Sequence, residues 1–274
     1  MHKCFVGPST WGRLALGLTL AGLLLGVAGC ATGPGADDVK VAKAEYGLAA
    51  DAFHRGRYRE ALDHIQKAID RDEENADVAY LGAMVMLVFC ADDDQSPDCR
   101  YEEAERYLRL ALEADPGMRD AKNALGVVLV HQDRPKEAVE VLEPLAHDML
   151  YRSPEKAWGN LGWAYLEAGQ QDEAIPALKR AIAAQPLFCV GHYRLGLAYE
   201  KKGEYAAARQ SFTRALSIEE GQCGRLQDAF WARARVQEKL GLRAEVAEDL
   251  QRCKDLARAT QVGKACARRL EMGR

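Results

Sequence analysis

No basic stripe runs through the 274 residues, and the formal charge at neutral pH is −4. The electrostatic footprint of a nucleic-acid binder is therefore missing. Aromatic residues make up only 7% of the chain, and no convincing alternation of apolar and polar residues marks a strand, while alanine and leucine recur at helical spacing. That composition excludes a β-sheet core and points to an all-helical protein. The longest uncharged apolar run, Leu14 to Gly29, holds about 15 apolar residues where a bilayer core needs ~20. It is too short to span a membrane. A phosphate-binding glycine loop, a His-Glu-x-x-His pair and a Gly-x-Ser-x-Gly elbow are all absent. The carboxylates at turn spacing read as the solvated outer faces of helices, so neither a catalytic residue nor a small-molecule substrate is expected.

The short run has its own meaning. Lys3 and Arg13 precede it, and it ends in Val27-Ala28-Gly29-Cys30, small residues before a cysteine. This pattern resembles the lipobox of bacterial lipoprotein signals, in which Cys30 is acylated and becomes the first residue of the mature chain. Residues 1–29 would be a cleaved signal, residues 30–38 a lipidated tether, and residues 39–274 the folded body. Because Lys3 and Arg13 leave with the signal, the mature charge falls from −4 to −6. By resemblance to bacterial sorting rules, Ala31 in place of an aspartate favours the outer membrane. The lipid on Cys30 would hold the protein on the periplasmic face without crossing the membrane. No other cofactor is expected.

Internal repetition supplies the architecture. From Glu155, the residues Trp158, Leu161, Gly162, Tyr165, Gly169, Ala174, Leu178, Ala181 and Pro186 fall at positions 4, 7, 8, 11, 15, 20, 24, 27 and 32. This spacing resembles a tetratricopeptide (TPR) repeat, in which small residues at 8, 20 and 27 let two antiparallel helices approach and large ones fill the seam. The frame returns 34 residues later with His192, Leu195, Gly196, Tyr199, Gly203, Ala208, Phe212 and Ala215. Upstream it is met by Leu125, Gly126, Leu129, Ala138 and Leu142, by Leu81, Gly82, Val85, Ala104, Leu108, Ala111 and Pro116, and by Leu48, Ala49, Ala52, Gly56, Ala61, Ile65 and Ala68. Phe230, Ala234, Gly241, Val246, Leu250 and Cys253 make a sixth. The expectation is an all-α superhelical solenoid of about six helix pairs, with Gly263 to Leu270 as a short C-terminal cap. Ser153 reads as the N-cap of the fourth repeat with Pro154 at its first helical position.

Cys90 and Cys99 flank an enlarged turn in the second repeat, and an oxidising periplasm favours a disulfide between them. The acidic run between them lacks the glycine and terminal glutamate of a calcium loop. Cys189, Cys223, Cys253 and Cys266 allow three pairings; the frame favours Cys189 with Cys223 and Cys253 with Cys266. Zinc is the rival reading, but no Cys-x-x-Cys occurs, and no metal is expected. Positions 2, 5, 9 and 12 of each first helix should line a concave surface. They supply Tyr46, Phe53, Met86, Asn123, Val127, Val130, Trp163, Leu166, Tyr193, Leu197 and Trp231, an apolar, aromatic groove suited to an amphipathic helix or an extended apolar segment. A slip of one residue in the frame would put some of them between helices instead.

One segment is more particular. In His147 to Gly162, the residues Tyr151, Pro154, Ala157, Asn160, Leu161 and Gly162 form a Tyr-x-x-Pro-x-x-Ala-x-x-Asn-Leu-Gly run. It resembles the passage joining the third and fourth repeats of type IV pilus biogenesis lipoproteins of the PilF/PilW/Tgl type. The resemblance implies a secretin pilotin, an outer-membrane factor that promotes localisation or assembly of the type IV pilus secretin. The other reading is a general periplasmic adaptor that recruits cell-wall enzymes.

Overall fold

The computed structural model describes residues 34–91, 97–219, 223–224 and 226–272. Cys30, the apolar run before it and most of the acidic run after Cys90 lie outside these residues. Thirteen helices and no strand occur among the described residues. They form six successive pairs: α1 (Ala36–His54) with α2 (Tyr58–Ile69), α3 (Ala76–Ala91) with α4 (Tyr101–Ala114), α5 (Arg119–His131) with α6 (Pro135–Ala146), α7 (Pro154–Glu167) with α8 (Gln171–Ala184), α9 (Cys189–Lys201) with α10 (Tyr205–Leu216), and α11 (Gln227–Lys239) with α12 (Arg243–Leu256). A last helix, α13 (Gln261–Met272), closes the end.

The pairing follows from what lies at the crossing points. A Cβ on Gly162 would come within 2.5 Å of Leu178 Cγ, and one on Gly196 within 2.5 Å of Phe212 Cδ1. Only glycine lets the second helix of each pair bring a large side chain against the first helix's backbone, and Leu178 and Phe212 are fully buried there. Gly82 meets Tyr107 and Gly126 meets Leu142 in the same way. Between the helices of a pair, Gly169 turns the chain at φ +76°, a left-handed conformation that glycine adopts without strain. At the equivalent place in the third pair stands Asp133, with φ +58°, one of the few non-glycine types enriched in that region.

Each pair buries its seam against the next, and the core runs along the array as one large cluster from Ala42 to Ala164 followed by smaller ones towards the C-terminal end. The first helix departs from the frame. Leu48, expected in the seam, is 52% exposed, because no described helix packs on that side of α1. Ser153 does occupy the N-cap of α7, with Pro154 following, but its side chain makes no capping hydrogen bond.

Three disulfides staple the array. Cys90 and Cys99 are bonded across the enlarged turn with Cα atoms 4.4 Å apart, Cys189 joins Cys223 at 5.9 Å, and Cys253 joins Cys266 at 6.1 Å. The first closes a short loop, worth roughly 2–3 kcal/mol in the chain-entropy picture. The last ties α13 to α12, where Gln227 Nε2 also donates to the carbonyls of Cys253 (2.6 Å) and Ala257 (2.9 Å). The C-terminal helix is held covalently by the Cys253–Cys266 bond and by Arg269 Nε donating to Glu238 Oε1 of α11 (2.7 Å), as a lid on the last pair.

Candidate functional site

The first helices α5, α7 and α9 lie side by side, and their shared face carries a chain of polar contacts. Asn160 Nδ2 on α7 donates to Asn123 Oδ1 on α5 (2.9 Å), and Arg194 Nη1 on α9 donates to Asn160 Oδ1 (2.8 Å) and to the carbonyl of Gly159 (3.1 Å). The bare Cα of Gly159 admits the Phe188 ring, which an added Cβ would meet at 2.6 Å. The Arg194 guanidinium also lies 4.5 Å from the centre of the Trp163 ring, a cation–π contact. Trp163 in turn stands edge-on to His131 at 5.0 Å, His131 stacks on Tyr101 at 4.6 Å, and Trp163 Nε1 donates to Glu167 (3.2 Å).

Arg194 is the electrostatic centre of this face. No carboxylate among the described residues forms an ion pair with it, in contrast to Arg235, which grips both oxygens of Glu200 at 3.0 and 2.8 Å one helix further on. Removal from water pushes the Arg194 guanidinium down to about 10, so it keeps its charge at neutral pH. This half-buried cation is held by two neutral oxygens and an aromatic ring, with the Glu167 carboxylate near enough to favour its charge but not paired with it. Only its Nη1 is used by the protein, which leaves further N–H donors for an anionic group.

At one edge of the face, Tyr151 folds in and donates to Asp120 (3.2 Å), with Tyr80 close enough to feel the same charge. Burial first, and then Asp120, push both phenols above their ordinary range. Tyr193 is raised for the same leading reason; it packs at 5.9 Å from Phe212 as the floor between α9 and α10.

Asn123, Val127, Trp163, Tyr193 and Leu197 are half-buried on α5, α7 and α9, while Tyr46, Phe53 and Met86 are half-buried near the N-terminal end and Trp231 near the C-terminal end. Phe53 turns towards Tyr58 of α2, with ring centres 5.8 Å apart. Two of the expected lining residues are core instead. Val130 is 7% exposed and Leu166 is fully buried in a cluster with Ala174 and Leu178 of α8 and Leu195 and Ala198 of α9. Both sit in the last turn of a first helix; at Leu166 the following first helix leans across, and Lys201 of α9 reaches its carbonyl at 3.3 Å. The expectation of an apolar face is therefore corrected: a polar ladder threads between the aromatic residues. Its members Asn160 and Arg194 occupy position 6 of their repeats, which the reading of positions 2, 5, 9 and 12 passed over.

No group of three or more histidine, cysteine, aspartate or glutamate side chains among the described residues is arranged to hold a metal ion. No described helix is long and apolar enough to cross a membrane.

These features define a tetratricopeptide-repeat solenoid, a scaffold architecture whose extended inner face binds protein segments. Tetratricopeptide-repeat family models match residues 100–149, 144–188 and 160–222. Among solved structures, the fold is similar to the crystal structure of PilW, a type IV pilus biogenesis factor, with a TM-score of 0.69 and 22% identity, covering 82% of this chain and 98% of that one. It is also similar to PilF of Pseudomonas aeruginosa, with a TM-score of 0.63 and 19% identity over 85% and 99% of the two chains. Among curated proteins, Superkiller complex protein 3 of Mus musculus is 27% identical over 187 residues. The alignment takes in 66% of this chain but only 11% of that relative's length.

Proposed function

We propose that this protein is an outer-membrane lipoprotein that binds the type IV pilus secretin on its first-helix face and promotes the localisation or assembly of the secretin ring. The observation that carries the binding half is Arg194, a cation fixed by Asn160 and Trp163 and making no ion pair among the described residues. A partner segment that lays apolar side chains along Val127, Trp163 and Leu197 and offers one acidic group to Arg194 completes the site. The pilus half is supported by the likeness of fold to PilW and PilF and by the linker run from Tyr151 to Gly162. The lipobox ending at Cys30 supports the lipid anchor and the periplasmic face of the outer membrane.

Deletion of the gene is expected to abolish heat-stable secretin multimers in envelope fractions while secretin monomer persists. Multimers at the parental level in the deletion strain contradict the proposal. A general adaptor for cell-wall enzymes gives the opposite pattern, with hydrolases or synthases co-purifying and the secretin ring intact.

A further inference from the structure

The connection from α6 to α7 spans residues 147–153, longer than the four-residue links 115–118 and 185–188 and the six-residue link 70–75, though shorter than 217–226. The extra length is not slack. Asp148 Oδ2 accepts from Arg119 Nε (2.6 Å), Asp148 Oδ1 from the Leu150 amide (2.8 Å), and the Tyr151 amide donates back to the Asp148 carbonyl (3.1 Å). On one shoulder His147 Nδ1 donates to the Glu143 carbonyl (2.9 Å) and its ring lies 4.8 Å from Trp158. On the other, Tyr151 is buried with its hydroxyl on Asp120. Yet the two side chains at the tip, Met149 and Leu150, are 97% and 74% exposed. A connection pinned at both shoulders spends its ordering on presenting two large apolar groups to water.

We propose that this tip is a membrane contact: Met149 and Leu150 enter the interface of the bilayer that carries the lipid anchor, and so fix the solenoid's orientation on the membrane. The inference rests on the anchor reading of Cys30. Two observations favour a bilayer over a protein socket. The apolar surface ends at two residues, whereas a specific protein interface buries about 1,200–2,000 Å² in total. The tip's surroundings carry a small cationic excess: Arg152 and Lys156 are exposed, Lys122 is close enough to Asp148 to help lower its carboxyl, and none of the three appears in an ion pair among the described residues, against the two carboxylates of Asp120 and Glu155 near Tyr151. Asp148 itself is neutralised by Arg119. An apolar tip with basic shoulders suits an anionic lipid surface, where each cation contributes roughly fivefold in affinity. Held by the lipid anchor, such a weak second contact acts at high effective concentration.

The test uses the acylated full-length mature protein in vesicles of phosphatidylethanolamine and phosphatidylglycerol. Leu150→Trp should show tryptophan emission shifted to the blue and quenched by brominated acyl chains, measured as the difference from the parent with its own Trp158, Trp163 and Trp231. Quenching should weaken in vesicles of phosphatidylcholine alone and in the Lys122→Gln/Arg152→Gln background. If the protein floats with the vesicles but the difference emission stays water-like and unquenched, the tip contact is refuted while the anchor stands. A protein that does not float at all refutes the anchor, and this inference with it. Unquenched tip fluorescence together with loss of secretin capture in Met149→Ser/Leu150→Ser assigns the tip to a protein socket and also overturns the proposal.

Discussion

Phe212→Ala is expected to lower the midpoint of thermal unfolding by roughly 10 °C, from a loss of about 3–5 kcal/mol in a chain of this size. Phe212 is fully buried, its ring lies against the bare backbone of Gly196, and it supports Tyr193 from below. Truncation leaves a cavity whose walls cannot close, because the helix spacing is set by the neighbouring pairs as well as by this one. The repeats stack only on their neighbours, so the loss should spread as earlier opening of α9 to α13, visible as faster amide exchange there than in α3 to α6. Circular dichroism melts and hydrogen exchange check this; a melt within a degree or two of the parent would mean that the fifth and sixth pairs are not packed through Phe212.

Arg194→Glu should leave the melt nearly unchanged and weaken secretin binding by about a hundredfold or more. The stability cost is small because Arg194 is only half-buried, contributes a cation–π contact of about 0.5–1 kcal/mol and hydrogen bonds to neutral oxygens, and its loss breaks no ion pair. The binding cost is large because losing one partner of a buried charge pair removes about 2–5 kcal/mol, and a glutamate adds repulsion. The pH dependence has a definite sign. A guanidinium lowered to about 10 is cationic through the neutral range, so the affinity it supplies is present there and falls as pH rises through about 10, where a fully solvated arginine stays charged. Isothermal titration of the variant against detergent-solubilised secretin measures the loss; equal affinity for the parent and Arg194→Glu would remove Arg194 from the site.

The parts legible in the sequence were those that repeat. Gly162 and Gly196 announce close crossings because a glycine recurs at one position of a fixed period, and the turn glycines mark the ends of the first helices. What escaped was set by how neighbouring helices tilt. Leu166 has the right angle on its own helix to face outward, but α9 leans over the last turn of α7 and seals it. Leu48 fits the seam pattern and is exposed because its partner surface is missing on that side. Asn160 and Arg194 were hidden for a different reason. Each belongs to a different repeat, and only the apposition of α5, α7 and α9 turns an asparagine, an asparagine and an arginine into one hydrogen-bonded row. A comparison of position 6 across repeats, Tyr80, Asn160 and Arg194 among them, would have raised the possibility of a polar face.

Binding of the secretin to the first-helix face around Arg194 is open to site-specific photocrosslinking in intact envelopes. A photoreactive residue is placed in turn at Val127 and Leu197 on that face and at Glu140 and Gln210, which are exposed on second helices. Secretin adducts are expected from Val127 and Leu197, lost when Arg194→Glu is added, and none from Glu140 or Gln210. Secretin adducts from the second-helix sites alone, or adducts from the first-helix face that contain other proteins and no secretin, would contradict it.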